Sequence, residues 1–246
     1  MISITNLHKT FENNAVLRGV DLHVDRGQSL VVIGGSGTGK SVLLKCILGL
    51  MTPDAGQIIV DGYDITHGGH EALLHRFGML FQGAALFDSL PVWENVAFGL
   101  MRSGKSRAAL RDLAVEKLQR VGLGARVADQ FPSDLSGGMQ KRVGLARAIA
   151  ADPNVIFFDE PTTGLDPIMA GVINALIRDV TRDMGATTIT ITHDMTSVHA
   201  IADQVAMLHD GQVQWHGAKD TLRQSDDPYV RQFISGSATG PIATLR

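Results

Sequence analysis

The sequence predicts an α/β fold in which helices cover both faces of a mostly parallel β-sheet. Short β-rich runs alternate with helical patterns along the chain, which is the order expected of such a sheet. Runs typical of β-strands at residues 28–33, 155–158 and 187–192 each lead directly into glycine or polar residues. Because ligands of such folds gather at the carboxyl ends of the strands, we expect these three segments to converge on one site.

Size and composition are those of a folded globular protein. The 246 residues are 44% hydrophobic and 19% charged, so the chain can bury a core as one large domain or as two small ones. The formal net charge of -3 gives no general attraction to nucleic acid or to an anionic membrane surface. No nucleic-acid motif accompanies it, and we expect no nucleic-acid partner.

Targeting and membrane signals are weak in this sequence. Residues 1–5 alternate like a strand and lack the basic start and apolar run of a signal peptide. Apolar stretches such as residues 155–158 are far shorter than the roughly 20 residues that cross a bilayer. We therefore expect a cytoplasmic protein that reaches a membrane through another subunit. The single cysteine, Cys46, excludes an internal disulfide, and its apolar neighbours predict a buried side chain.

Local patterns predict the remaining elements. Apolar residues spaced three or four apart indicate helices between residues 83 and 136, where we expect a helical insertion. Asp210 and Gly211 stand between two apolar runs and predict the turn of a β-hairpin. Near the end we expect a helix at about 228–234, followed by an extended arm.

Residues 34–41 match the phosphate-binding pattern of glycine, four residues, glycine, lysine, and serine or threonine. Glycines let such a loop curl until its backbone N–H groups face one anion. Lys40 adds a positive charge for the β- and γ-phosphates, Ser41 a hydroxyl for Mg²⁺, and the helix expected at 42–50 its positive N-terminal end. A strand before and a helix after the loop favour this interpretation over an ordinary glycine turn. The other loop residues expected to contact phosphate are Gly35, Ser36, Gly37, Thr38 and Gly39.

A second candidate segment is the apolar strand that ends at Asp159 and Glu160. An aspartate at the end of a buried strand can hold Mg²⁺ through its water shell, and the adjacent glutamate can polarise an attacking water. Alone, this pattern is equally typical of an ordinary strand. Beside a phosphate loop it predicts nucleotide hydrolysis.

A third segment decides between classes of phosphate-loop protein. Ser136, Gly137 and Gly138 open a helix whose free N–H groups could meet an anion, although a capped helix start explains the same residues. The segment 135–140, Leu-Ser-Gly-Gly-Met-Gln, resembles the signature motif of ABC ATPases. The resemblance continues from residue 2 to about 216.

This resemblance implies a specific architecture. It is a P-loop NTPase (RecA-like) core with a mostly parallel sheet, an N-terminal antiparallel β subdomain and an inserted α-helical subdomain at about 84–139. The ATPase domain would span residues 1–224, and residues 225–246 would form a C-terminal extension that contacts the partner ATPase subunit.

The family resemblance also implies roles for single residues. Phe11 resembles the aromatic residue that stacks on adenine, for which core packing is the alternative. Gln82 resembles the glutamine that touches Mg²⁺ and senses the membrane subunit, and His193 resembles the histidine that contacts the γ-phosphate. Residues 164–166, which end at Asp166, resemble the loop that communicates across the dimer. The implied catalytic residues are Lys40, Gln82, Glu160 and His193, the implied Mg²⁺ ligands are Ser41, Gln82 and Asp159, and further nucleotide contacts are Phe11, Val16, Val42, Ser136, Gly137, Gly138 and Asp166.

The sequence departs from the family pattern at two positions. Val42 stands where many relatives have threonine or serine, so one side-chain contact to phosphate is expected to be missing, while backbone contacts suffice. Met139 stands where glutamine is common, and it touches none of the groups assigned chemistry.

A histidine cluster does not point to a metal site. His67, His70 and His75 surround Glu71, but a metalloprotease helix needs a second histidine four residues after the first, and that position is Leu74. We interpret the cluster as surface or loop histidines.

Residues 83–98 and 227–233 resemble the ATPase of the bacterial Mla and Mce-type systems, which move lipids between envelope membranes. The implied cofactors are ATP and Mg²⁺. The implied partners are a second copy in a head-to-tail dimer, a membrane permease, an MCE-domain lipid-binding subunit and a small STAS-domain protein. The implied location is the cytoplasmic face of the inner membrane.

Other functions stay open at the sequence level. They are the ATPase of a different small-molecule transporter, a soluble ABC ATPase of translation or DNA repair, a scaffold that binds ATP without hydrolysing it, and a phosphate-loop kinase. Soluble ABC ATPases usually carry two such domains or a long coiled coil, and a kinase does not need the segment 135–140.

Overall fold

The computed structural model describes residues 1–67 and 77–243, which form two compact units. The first unit spans Met1–His70 together with Ile191–Arg246, and the second spans Glu71–Thr190. In the described ranges, no helix is both long and apolar enough to cross a membrane.

The first unit contains seven described strands and three α-helices. The strands are β1 (Ile2–Phe11), β2 (Asn14–Val24), β3 (Ser29–Ile33), β4 (Ala55–Val60), β5 (Tyr63–Asp64), β9 (Gln204–His209) and β10 (Gln212–Ala218), and the helices are α1 (Lys40–Ile47), α6 (Met195–Ile201) and α7 (Pro228–Ser235), with a 3₁₀ segment at Lys219–Gln224.

The second unit is mainly helical around a short sheet. Its strands are β6 (Phe77–Leu80), β7 (Val155–Asp159) and β8 (Thr187–Ile191), its helices are α2 (Val92–Ala97), α3 (Arg107–Arg120), α4 (Gly137–Ala148) and α5 (Pro167–Met184), and 3₁₀ turns lie at Phe98–Leu100, Ala125–Val127 and Pro132–Asp134.

The N-terminal strands form the predicted antiparallel sheet, in the order β2-β1-β4-β5. Strand β1 pairs antiparallel with both β2 and β4. Ile2, Ile4 and Leu7 of β1 are buried, and the residues between them are half-buried or exposed. This alternation is typical of a sheet with one face on the core.

The strand before the phosphate loop is buried on both faces. All four residues from Leu30 to Ile33 are buried, and β3 runs parallel to β9. Strands β9 and β10 form the predicted hairpin, with Asp210 and Gly211 at φ 47 and 73. Positive φ at both turn residues is the geometry that a two-residue turn needs to match the strand twist.

In the second unit, strands β8, β7 and β6 are neighbours in that order. Strands β6 and β7 are parallel, with Phe77 opposite Val155 and Leu80 opposite Phe158. Both central residues of β7, Phe157 and Phe158, are fully buried. A parallel strand with apolar residues on both faces is the arrangement expected of an α/β sheet, so the predicted fold class is confirmed.

Two element boundaries differ from the predictions. Helix α1 begins two residues earlier than expected and ends at Ile47 rather than Leu50, because Gly49 turns left-handed at φ 67 and Leu50 is exposed. Helix α7 was expected at about 228–234 and ends one residue later, at Ser235.

The extended arm predicted after α7 is wrong for the described residues. Gly236, at φ 64, ends the helix, and the chain bends back on itself. The buried amide of Gln232 accepts a hydrogen bond from the Ile242 N–H at 2.6 Å and donates one to the Ile242 carbonyl at 3.0 Å. One buried side-chain amide therefore forms hydrogen bonds with backbone N–H and carbonyl groups that an extended arm would leave to solvent.

Cys46 gives a direct test of the core around α1. Its side chain is buried as predicted, and burial raises the pKa of the thiol to about 11. The thiolate is the reactive form, so alkylation by iodoacetamide at pH 8 is expected to be at least about 100-fold slower in the native chain than in urea. Mass spectrometry of the labelled protein measures both rates. Equal rates in the two conditions would contradict the burial of Cys46.

Candidate functional site

The phosphate loop lies between β3 and α1, and two of its positions have no room for a side chain. Gly39 has φ 100, and a Cβ atom there would lie 2.9 Å from the Val16 carbonyl oxygen. A Cβ atom at Gly34 would lie 2.3 Å from the Leu208 carbonyl oxygen. Side chains at either position would displace backbone, so the tight curl of the loop depends on glycine.

Lys40 folds over this loop. Its Nζ donates hydrogen bonds to the carbonyl oxygens of Gly34 at 2.8 Å and Gly35 at 2.7 Å. The Thr38 hydroxyl donates to the Gly35 carbonyl at 3.0 Å, which closes the loop further. The ammonium group and the first turn of α1, where Ser41 is exposed, therefore belong to one small surface that suits an anion.

The position expected to stack on a base is also in the first unit. Phe11 ends β1 and is 41% exposed, so its ring does not pack in the core. The Nζ of Lys9 lies 5.6 Å from the ring centroid. Val16 is half-buried, and its carbonyl faces Gly39 of the phosphate loop. An exposed ring can offer one face to an aromatic base.

His193 is held between two fixed residues. The Thr192 N–H donates to the Val32 carbonyl at 3.2 Å, which ties this segment to the strand before the phosphate loop. Asp194 caps α6, since its carboxylate accepts hydrogen bonds from the backbone N–H groups of Thr196 and Ser197. The exposed imidazole thus projects from a short, well-anchored segment.

The backbone is strained at one residue of the acidic pair in the second unit. Asp159 ends β7, and Glu160 has φ 46, a left-handed conformation that is uncommon for a residue with a side chain. The Thr163 hydroxyl donates to Oε2 of Glu160 at 3.1 Å. Strain of this kind persists where surrounding contacts hold it, and it clusters at functional sites.

A buried lysine joins two of the predicted site residues. Lys141 of α4 is 5% exposed, and its Nζ donates to the carbonyl oxygens of Gln82 and, at 3.4 Å, of Glu160. Burial lowers the pKa of Lys141, and the nearby carboxylates of Asp159 and Glu160 oppose that effect. Our interpretation of the sequence gave Lys141 no role. The signal that could have found it is a lysine three residues before Gly144 on an otherwise apolar helix face.

The signature segment packs against the first turn of α5, the helix that Asp166 caps. Ser136 caps α4, with its hydroxyl accepting from the Met139 N–H at 3.3 Å. A Cβ atom at Gly138 would lie 2.6 Å from the methyl carbon of Met169, in the first turn of α5. Asp166 caps that helix and accepts from the Met169 N–H at 3.0 Å. The second unit thus places Gly138 next to the start of the helix that Asp166 caps.

The expected metal ligands supply only oxygen donors. Ser41 has a hydroxyl, Gln82 an amide and Asp159 a carboxylate, which is the donor set of a hard cation such as Mg²⁺. Within residues 1–67 and 77–243, no group of three or more His, Cys, Asp or Glu side chains could hold a metal by itself. Mg²⁺ usually keeps several waters and needs only one or two carboxylates, so the residues present fit it.

The histidine cluster cannot be placed. His67 is described and exposed. His70, Glu71, Leu74 and His75 lie outside the described residues.

A groove of about 820 Å³ lies in the second unit, next to the segment that leads to Gln82. Three exposed aromatic side chains line it, Phe81, Phe87 and Phe98, and the rings of Phe87 and Phe98 have centroids 4.4 Å apart. Arg102 and Arg147 bring positive charge to its lining. Exposed apolar clusters of this kind are typical of surfaces that bind proteins, membranes or small ligands.

Comparison with known proteins gives matches over nearly the whole chain. A family model described as "ABC transporter" matches residues 17–163. The probable ribonucleotide transport ATP-binding protein mkl of Mycobacterium leprae is 40% identical over 98% of this chain and 70% of the relative. The intermembrane phospholipid transport system ATP-binding protein MlaF of Escherichia coli is 39% identical over 98% of this chain and 91% of the relative.

Solved structures show the same fold. A dimeric structure of the ATP-binding cassette MJ0796, in a post-hydrolysis state with ADP and Pi, is 30% identical and has a TM-score of 0.80 over 89% of this chain and 99% of that chain. The structure of cbiO1 from Clostridium perfringens is 28% identical, with a TM-score of 0.83 over 92% of this chain and 91% of that chain.

Proposed function

The chain belongs to the ABC transporter family of ATP-hydrolysing subunits, and from this we propose that it powers the transport of lipid, specifically phospholipid, across a bacterial envelope. The observation that carries the proposal is the match to the MlaF proteins, which extends over nearly all of both chains. The partner would be a membrane permease, and the chain would work on the cytoplasmic face of the inner membrane.

In the proposed mechanism, residues of the first unit hold ATP. The backbone N–H groups of the phosphate loop and the ammonium group of Lys40 would bind the phosphates, and the exposed ring of Phe11 would stack on adenine. Ser41, Gln82 and Asp159 would hold Mg²⁺. When bound, Mg²⁺ would neutralise charge that develops on the phosphate oxygens.

Glu160, Gln82 and His193 would serve the hydrolysis step. Glu160 would orient or deprotonate the attacking water, with its carboxylate already fixed by the Thr163 hydroxyl. Gln82 would touch the same water, and His193 would contact the γ-phosphate. Phosphoryl transfer needs mainly positioning and charge stabilisation, and these residue types supply both.

We propose that the working enzyme is a head-to-tail dimer. Ser136, Gly137 and Gly138 would complete the phosphate site of a second copy, since they start α4 and its N–H groups can meet an anion. Residues 225–246 would also contact the second copy.

The aromatic groove would receive the membrane subunit. It is apolar, it is open to solvent, and Phe81 in its lining directly precedes Gln82. A helix of the permease seated there would act on the segment that holds Gln82 and so couple transport to hydrolysis. An MCE-domain lipid-binding subunit and a small STAS-domain protein would complete the assembly.

The mycobacterial relatives support a second candidate substrate. Their names state ribonucleotide transport, at the same level of identity as the phospholipid transport proteins. The ATPase chemistry would be identical in both cases. The membrane and accessory subunits would choose the cargo, so the partners identify the substrate class.

Affinity purification tests this proposal. The tagged full-length chain, solubilised with its membranes, is expected to recover a permease and an MCE-domain protein. Phe98→Asp should lower permease recovery by about 10-fold or more, because a charge in the apolar centre of an interface is costly. Phe131→Asp is the matched control, since Phe131 is 42% exposed against 47% for Phe98 and does not line the groove.

The outcomes separate the candidates. Recovery of a solute-binding protein for sugars or amino acids, without an MCE-domain protein, would end the lipid proposal and leave the ATPase assignment intact. If phospholipid vesicles leave the ATPase rate of the purified complex unchanged and a ribonucleotide raises it, the second candidate replaces the first. Equal permease recovery with Phe98→Asp and Phe131→Asp would rule out the groove as the docking surface.

A further inference from the structure

Helix α4 packs against the segment that contains Gln82 and forms hydrogen bonds with its backbone. A Cβ atom at Gly144 would lie 2.7 Å from Cδ1 of Leu80, so the helix packs closely against the end of β6. Arg147 donates from its guanidinium to the Ala84 carbonyl and, at 2.7 Å, to the Ala85 carbonyl. Lys141, six residues before Arg147, donates to the carbonyl oxygen of Gln82 itself.

The backbone that Arg147 and Lys141 contact has an unfavourable conformation at three residues. Ala84 and Ala85 have φ 58 and 48, and Glu160 has φ 46. Left-handed conformations at residues with side chains are unfavourable and persist only where neighbouring groups fix them. Hydrogen bonds from Arg147 and Lys141 end on the carbonyl oxygens of these same residues or of Gln82.

Lys141 differs from the other buried lysine of this unit. Lys117 is 4% exposed, and its Nζ contacts the carboxylates of Asp152 at 2.6 Å and Glu116 at 3.6 Å, an arrangement that neutralises its charge. The ammonium group of Lys141 donates to two backbone carbonyls in separate loops, and the nearby carboxylates of Asp159 and Glu160 favour its charged form. A buried charge is costly, so a lysine in this place needs more reason than packing.

We propose that Lys141 is a positioning residue of the ATPase reaction, which ties the backbone of Gln82 to that of Glu160. By bonding both carbonyls, one ammonium group fixes the distance between the main-chain origins of two side chains that act on the same water. This inference rests on the roles proposed for Gln82 and Glu160. It assigns Lys141 no contact with ATP.

The test is Lys141→Met, which keeps most of the side-chain length and removes the donors. In the full-length enzyme we expect kcat to fall about 10-fold, while KM and the Kd for a fluorescent ATP analogue change less than about twofold. Lys141→Arg, which retains charge and donors, should recover most of the lost turnover. Backbone amides near residues 81–86 should exchange hydrogen about 10-fold faster in Lys141→Met, because the loop has lost its tether.

Lys117→Met is the matched control. It removes an equally buried ammonium group from the same unit and is expected to lower the Tm, with kcat and the exchange of residues 81–86 close to wild type. If Lys141→Met is insoluble, Lys141→Gln carries the test, since its side chain is shorter and uncharged. It should also lower kcat at unchanged KM. A wild-type kcat in the soluble variant, or an equal loss of kcat in Lys117→Met, overturns the proposal.

A further comparison separates this inference from the proposed function. If Glu160→Gln hydrolyses ATP at the wild-type rate, the proposed roles fail and the inference fails with them. If Glu160→Gln is inactive and Lys141→Met is fully active, the positioning role alone is wrong.

Discussion

Replacing Lys40 with alanine is expected to weaken ATP binding about 100-fold and to reduce ATP turnover at least as much. The ammonium group lies over the phosphate loop, where it already bonds the carbonyls of Gly34 and Gly35. Charge-assisted hydrogen bonds to phosphate are about twice as strong as neutral ones, and losing about 2.7 kcal/mol changes a Kd about 100-fold. Titration with a fluorescent ATP analogue measures the affinity, and phosphate release measures the turnover.

Lys45→Ala provides the control for this variant. Lys45 is exposed in the last turn of the same helix, α1. Its replacement by alanine therefore removes the same charge without changing the phosphate loop. We expect its ATP affinity and turnover to stay within about twofold of wild type, as for most surface substitutions. Should Lys40→Ala bind ATP as tightly as Lys45→Ala, the phosphate loop would not be the nucleotide site.

Replacing Glu160 with glutamine is expected to lower kcat by about 100-fold or more and to leave the Kd for ATP nearly unchanged. The change keeps the size of the side chain and its hydrogen bond with the Thr163 hydroxyl, but it removes the base. General-base catalysis contributes roughly 100- to 10,000-fold in rate, whereas the phosphate contacts lie elsewhere. ATP should therefore accumulate unhydrolysed, and the protein should elute as a stable dimer in size-exclusion chromatography with ATP.

Glu116→Gln makes the same chemical change at an exposed position on α3. Its turnover and its monomer–dimer behaviour should match the wild type. Undiminished phosphate release from Glu160→Gln would show that another group activates the water. Loss of ATP binding in that variant would instead point to a structural role for Glu160.

Much of the phosphate site follows from sequence because its determinants are local. Glycine at positions 34 and 39 is required by contacts within 3 Å, and the pattern of glycines, lysine and serine records that requirement directly. Strands such as β3 and β7 can also be predicted from the sequence, since a parallel strand that is buried on both faces is a continuous apolar run. The hairpin turn at Asp210 and Gly211 needs positive φ, which few residue types accept.

The ends of the helices are harder to predict from the sequence than the phosphate loop and the buried strands. Helix α1 ends at Ile47, before the apolar pattern stops, because Gly49 turns left-handed. Leu50, the last residue of that pattern, is exposed despite its hydrophobic side chain. After α7 the chain bends back, and this bend depends on the buried side-chain amide of Gln232, whose hydrogen-bond partner Ile242 is ten residues away. A composition rich in glycine and proline predicts the loss of helix there but gives no path for the chain.

By itself, then, the sequence determined the α/β class, the phosphate loop, the acidic strand end and the family to which they belong. Each of these is encoded by residues close together in the chain. Only the tertiary structure decided that Lys141 joins Gln82 to Glu160 and that Gly138 meets Met169 beside Asp166. Those contacts link segments separated by tens of residues, and their energy comes from burial and hydrogen bonding that form when the chain packs.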